Sequence, residues 1–157
     1  MWWWSMPADN AGVDEDSAVK AALSAAADGI QAVGVDPREL LAQWGGRVEC
    51  RQGWYPLVAA TGAAIAAVDP DYRIDEIREK YGELRFFATP SAGTTAAARR
   101  RMEAITDAAE EISRTVCETC GAPGSLHQTP RRWLATLCPA CAAASGRGYR
   151  PAVTVDT

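Results

Sequence analysis

The sequence predicts an α-rich α+β protein with a helical N-terminal half, a short β-hairpin, a long helix and a small C-terminal module built on cysteines. Three observations carry that prediction. Apolar residues recur at spacings of three and four through most of the chain, the period of helices with one buried face. The period breaks at Tyr81-Gly82, before a run LRFFAT that reads as a returning strand. Near the C-terminus, Cys117, Cys120, Cys138 and Cys141 stand as two CxxC pairs.

The opening MWWWSMPADNAGVDEDS mixes three tryptophans with proline, glycine and acidic residues, so residues 1 to 16 are expected to be disordered. The alternative role for Trp2, Trp3 and Trp4 is an aromatic anchor for a partner. From Ser17, placed to cap, Val19, Leu23, Ala26 and Ile30 share a helix face that Gly34 ends. DPRELLAQWGG gives a second helix, with Asp36 as N-cap, Pro37 first, Leu40, Leu41 and Trp44 inward, and two glycines to stop it. Leu57, Val58, Thr61, Ile65 and Val68 give a third, closed by Asp69 and Pro70.

In YRIDEIREKYGELRFFATP, Ile74, Ile77 and Tyr81 fit a helix, but the Tyr81-Gly82 turn followed by LRFFAT favours a hairpin. A long amphipathic helix then runs from about Thr94, with Met102, Ile105, Ala109, Ile112 and Val116 on one face, straight into Cys117. The expected units are a helical domain over 17–115, a cysteine module over 116–146 and a flexible tail over 147–157.

The cysteines form C-x2-C-x17-C-x2-C, the spacing of a four-thiolate zinc site. Each CxxC turn brings two thiolates to one side of a tetrahedral ion, and the intervening hairpin, turning at QTPR, brings round the second pair. Pro139 within that second pair suggests a helix start, hence a treble clef; a zinc ribbon is the alternative. A redox CxxC would need a βαβ context that neither pair has. Four thiolates close the coordination sphere, so one zinc per chain is expected to be structural. Its formal charge of about -2 would be offset by knuckle amides and by Arg131 or Arg132.

No enzyme is expected. His127, the only histidine, lacks the companions a nuclease or hydrolase site requires and is expected to be a solvated hairpin residue. Cys50 reads as a buried reduced thiol with no assignable base. The formal net charge of -4 argues against a general nucleic-acid binder. Arg99, Arg100 and Arg101, interspersed downstream with acids, read first as a solvated face. Together with Arg131, Arg132, Arg147 and Arg150 they form the alternative, a phosphate-contacting surface on which Trp133 stacks a base.

Nothing in the sequence resembles a membrane span or a signal peptide, so the expected compartment is the cytoplasm. There the paired cysteines favour metal over disulfides.

Gly53-Trp54, REKYGELRFF from Arg78 to Phe87, CETCGAPG from Cys117 to Gly124 and TLCPAC from Thr136 to Cys141 occur in that order. The order resembles a group of small, largely uncharacterised proteins of bacterial and phage genomes, in which a Gly-Trp-initiated helix precedes a K-E-K-F-G-x-L-R-F-Y-like segment and a C-terminal C-E-x-C-G knuckle. The match covers roughly residues 53 to 141. It implies a metal-binding knuckle and no catalytic residue. The preferred expectation is therefore a zinc protein that recognises another protein, with a host protein or toxin as the natural partner of a phage or mobile-element product. A small transcriptional regulator binding nucleic acid through Arg131, Arg132 and Trp133 is the alternative. The oligomeric state is left open.

Overall fold

A computed structural model describes residues 11–153. Trp2, Trp3 and Trp4 lie outside the described residues. Helix α1 (Ala11–Val33) starts before the expected Ser17, so residues 11–16 are helical, not disordered. Val19, Leu23 and Ile30 of the expected face pack against the core, but Ala27 is buried there in place of the exposed Ala26. Gly34, at φ +69°, ends the helix in a conformation only glycine adopts without strain.

Helix α2 (Pro37–Leu41) is capped as expected: the Asp36 carboxylate accepts from the Arg38 N–H at 2.9 Å. It passes into a 3-10 segment, Ala42–Arg47, then the two-residue strand β1 (Val48–Glu49). Helix α3 (Tyr55–Val68) follows Gly53-Trp54 and buries Leu57, Val58, Thr61 and Ile65. Gly62 lies mid-helix because a Cβ there would come within 2.4 Å of the Trp44 ring, so the glycine lets the 3-10 segment pack close.

The ambiguous segment is the favoured hairpin: β2 (Arg73–Lys80) pairs antiparallel with β3 (Glu83–Thr89). Tyr81 at φ 56° and Gly82 at φ +79° form a two-residue turn with both central residues left-handed, the type that matches strand twist. Ile74, Ile77, Leu84 and Phe86 are buried, and β1 joins the other side of β2 in parallel, giving the order β1-β2-β3. Helix α4 (Ala96–Ser113), capped by Thr95, packs along β3 and against α1 and α3, burying Met102, Ile105, Ala109 and Ile112. Asp69, at the end of α3, accepts from Ser91 N–H and Oγ–H at 2.7 Å and from the Thr94 hydroxyl at 3.1 Å, which ties down the turn between β3 and α4.

The C-terminal module has its own small core of Cys117, Ala135, Leu137, Cys138 and Ala142. Strand β4 (Ser125–Gln128) pairs with β5 (Leu134–Leu137), helix α5 (Pro139–Ala144) follows, and β6 (Arg150–Pro151) returns to the free side of β4. The expected flexible tail is thus corrected in part, since residues 150–151 complete a sheet. The physical reason is an otherwise open edge on β4, which β6 pairs with at His127 and Gln128. No helix among the described residues is long and apolar enough to cross a membrane.

Candidate metal centre

Cys117 and Cys120 belong to a tight knuckle. The Cys117 N–H donates to Ala122 O at 2.7 Å and the Gly121 N–H donates to Cys117 O at 2.9 Å. Gly121 at φ +80° permits that reversal. Cys138 is the N-cap of α5, its sulfur accepting from the Cys141 N–H at 3.4 Å, so the last two sulfurs sit at the first turn of a helix. Knuckle, hairpin and helix start follow in the treble-clef order; a ribbon would place a second knuckle where α5 begins.

The four sulfurs lie within 4.8 Å of one another, and Cys120 Sγ is 3.7 Å from Cys138 Sγ. A tetrahedral ion with bonds of about 2.3 Å to sulfur requires sulfurs about 3.8 Å apart, so the residues fit one such ion. Cys117 is fully buried, Cys138 buried, Cys141 half-buried and Cys120 exposed. Burial opposes charge on Cys117, but backbone N–H groups of Cys120, Cys138 and Thr119 point at its sulfur and bring its pKa down to about 7. Such amides stabilise a thiolate whether or not an ion is bound. Four cysteines held this way could take one metal ion; with all positions filled by protein, such an ion is structural.

The site is welded to the helical domain. Gly53 N–H donates to Glu118 O at 2.9 Å, Trp54 Nε1–H donates to Val116 O at 2.8 Å, and the Thr136 hydroxyl donates to Gly82 O at 2.6 Å. The segments GW, YG and CETC, separated in sequence, therefore meet at one interface.

Glu118 is the glutamate of the CETCG knuckle, but nothing in the sequence marks it as buried. It is only 4% exposed, with Arg51 3.7 Å away and its Oε2 without a hydrogen-bond partner among the described residues. Burial pushes its carboxyl up to about 7, against the pull of Arg51. No local pattern could have found it, because the burial comes from the domain packed over the knuckle. Cys50 is half-buried with its thiol pushed up to about 12, first by burial and then by Glu118.

Two expectations are corrected. His127 is buried at 4% exposure, not solvated: it shares a strand face with its partner Ala135, in the module's core, and β6 lies on its other side. With Nδ1 as the protonated nitrogen, its ring donates to Ser125 O at 2.8 Å. Arg131 and Arg132 are not beside the thiolates; they sit in the β4–β5 turn, three strand steps or about 10 Å from the cysteine end. Backbone amides of Cys120, Cys138 and Thr119 face the Cys117 sulfur instead.

Of the other arginines, Arg147 borders the same concavity as that turn, whereas the three of α4 do not. Arg99, Arg100 and Arg101 are exposed at the start of α4, and the helix from Arg100 to Ser113 alone spans about 20 Å before the module begins. Arg100 and Arg101 border a hollow that also contains Glu15 and Asp16, which counter their charge. Trp133 is 68% exposed beside Arg131. No protein family, curated protein or solved structure matches the chain.

Proposed function

We propose that the chain is a non-enzymatic zinc protein of the cytoplasm that recognises another protein, the ion holding the C-terminal module in shape against the helical domain. Zinc suits the donor set, since four thiolates at tetrahedral spacing bind it without an open position. The absence of catalysis is supported by Cys50, whose raised pKa keeps it a neutral thiol, and by His127, whose ring is buried and engaged.

One observation carries the protein-binding reading, the outer edge of β3. Leu84 directs its N–H away from β2, to Ser113 Oγ on α4 at 2.9 Å. By strand alternation Phe86 and Ala88 direct their N–H and C=O groups the same way, and no backbone group among the described residues pairs with them there. Between this edge and α4 lies a groove of about 350 Å³ bordered by Phe86, Phe87, Ala88, Arg99 and Met102, with Phe87 45% exposed. An extended segment of a partner gains backbone hydrogen bonds at such an edge and apolar contact with Phe87. The identity of that partner as a host protein or a toxin rests on the resemblance to phage and bacterial proteins alone.

The test is capture from a bacterial lysate by the zinc-loaded full chain, alongside the Phe87→Glu and Ala88→Pro variants. Proline at an outward-facing edge position removes a donor without breaking the β2 ladder. A protein retained by the wild type and lost from both variants supports the reading; capture that neither change alters, or no capture above background, ends it.

A further inference from the structure

We propose that the tip of the zinc hairpin binds single-stranded nucleic acid, with an unpaired base stacked on Trp133 and its flanking phosphates met by Arg131 and Arg147. The surface is distinct from the β3 groove and does not depend on it.

The first ground is charge. From Thr119 to Val153 the chain has four arginines, Arg131, Arg132, Arg147 and Arg150, and no aspartate or glutamate. The other residues then hold 12 basic and 20 acidic side chains, from totals of 16 and 20, or -8 against +4. The acidic whole-chain charge therefore conceals a basic stretch from Arg131 to Arg150. All four arginines are exposed, and no described carboxylate pairs with any of them. The thiolate cluster lies at the opposite end of the hairpin, about 10 Å away and close to a screening length at physiological salt.

The second ground is shape. Thr129, Pro130, Arg131, Trp133 and Arg147 border one concavity of about 450 Å³, within the range of small-ligand sites. Arg147 follows α5 and reaches this concavity because the chain returns through two left-handed glycines, Gly146 and Gly148, to form β6. A Cβ at Gly148 would stand 3.4 Å from Pro130 Cδ, so this loop lies directly against the turn. The turn itself is unusual in composition. Arg132 N–H donates to Thr129 O at 2.9 Å, and Arg132 occupies φ 66°, where glycine or asparagine is the low-cost choice.

Together these give a flat indole open to solvent with guanidiniums beside it. A base has the π-face to stack on the indole, and the guanidiniums pair with phosphate oxygens. A duplex keeps its bases stacked internally and leaves Trp133 without a partner, and an acidic peptide meets the charges but not the ring. The observations favour the unpaired strand.

The experiment is fluorescence anisotropy of labelled 12-nucleotide oligo(dT), oligo(U) and a DNA hairpin duplex, titrated with zinc-loaded full chain at low and near-physiological salt. The same titrations use Trp133→Ala, Trp133→Phe, and the Arg131→Ala and Arg147→Ala variants, with polyglutamate as competitor. Binding of a single strand is expected, weakened at least about five-fold by Trp133→Ala and restored by Trp133→Phe. Each lost arginine lowers the salt slope by about 0.7. Because Trp133 and both arginines are exposed, unchanged circular dichroism is expected to accompany these losses. No single-strand binding up to about 100 μM protein at low salt, tighter binding to the duplex, displacement by polyglutamate at equal charge, or indifference to Trp133→Ala would each overturn the proposal.

Discussion

Gly53 and Glu118 are joined backbone to backbone, the Gly53 N–H donating to the Glu118 carbonyl at 2.9 Å. A residue just before a helix of the N-terminal domain is thereby fastened to the residue after Cys117, the first cysteine of the cluster. The contact is close enough that a Cβ on Gly53 would lie 2.3 Å from Cys117 O and 2.6 Å from Glu118 C.

Gly53→Ala is therefore expected to destabilise the protein by about 1–3 kcal/mol, since backbone atoms on both sides have no room to yield. Urea denaturation of the zinc-loaded chain measures this. An unchanged midpoint would mean that the two units are not held at this contact.

Zinc is expected to bind at one ion per chain and to matter beyond the module. On addition of a strong chelator, amides from Cys117 to Cys141 should lose hydrogen-exchange protection. Because Trp54 Nε1 bonds to Val116 O and Thr136 to Gly82 O, the amides of Trp54 and Gly82 should loosen with them. Metal analysis combined with exchange mass spectrometry tests both parts; a metal-free chain with full protection after mild purification contradicts the first. Cys117→Ser and Cys138→Ser should reproduce the chelator's effect without it.

Asp69 gives a pH-dependent contribution. Hydrogen bonds from the Ser91 backbone and side chain hold its pKa below the ordinary value of 3.8. A depressed native pKa means stabilisation that is fully present above the unfolded-state value and lost as pH falls through the native one. Thermal unfolding followed from pH 6 to pH 2 should thus show a decline below about pH 4 that is shallower in Asp69→Asn. Equal slopes in the two proteins would remove the assignment.

Arg132→Gly should stabilise the fold by roughly 1 kcal/mol, because the left-handed position it occupies carries a cost for any side chain with a Cβ. The same change removes one exposed cation at the hairpin tip. Denaturation midpoints check the first effect; a loss of stability would show that the Arg132 side chain makes a structural contact.

Local sequence determined the elements whose cause is local. Asp36 caps α2 through its own carboxylate, Gly34 ends α1 because its backbone must be left-handed, and Tyr81-Gly82 makes the β2–β3 turn by the same freedom. The four cysteines that could hold one ion were legible because two CxxC pairs at this spacing have few other uses. Even the choice between ribbon and treble clef was hinted at by Pro139, whose fixed φ suits the first turn of α5.

Tertiary structure alone decided what depends on contacts across long sequence separations. Glu118 and His127 have nothing in their neighbours to mark them as buried; one is covered by the Gly53 segment and the other sits within a small sheet completed by β6. Arg99, Arg100 and Arg101 read first as a solvated helix face and are exposed, and the alternative that joined them to the hairpin arginines meets a spacer, since α4 keeps them away from the hairpin tip. The fold instead brings Arg147 to Trp133 by returning the chain along β4. Side-chain chemistry and backbone preference are written residue by residue, whereas burial and the pairing of distant charges exist only once the chain has closed on itself.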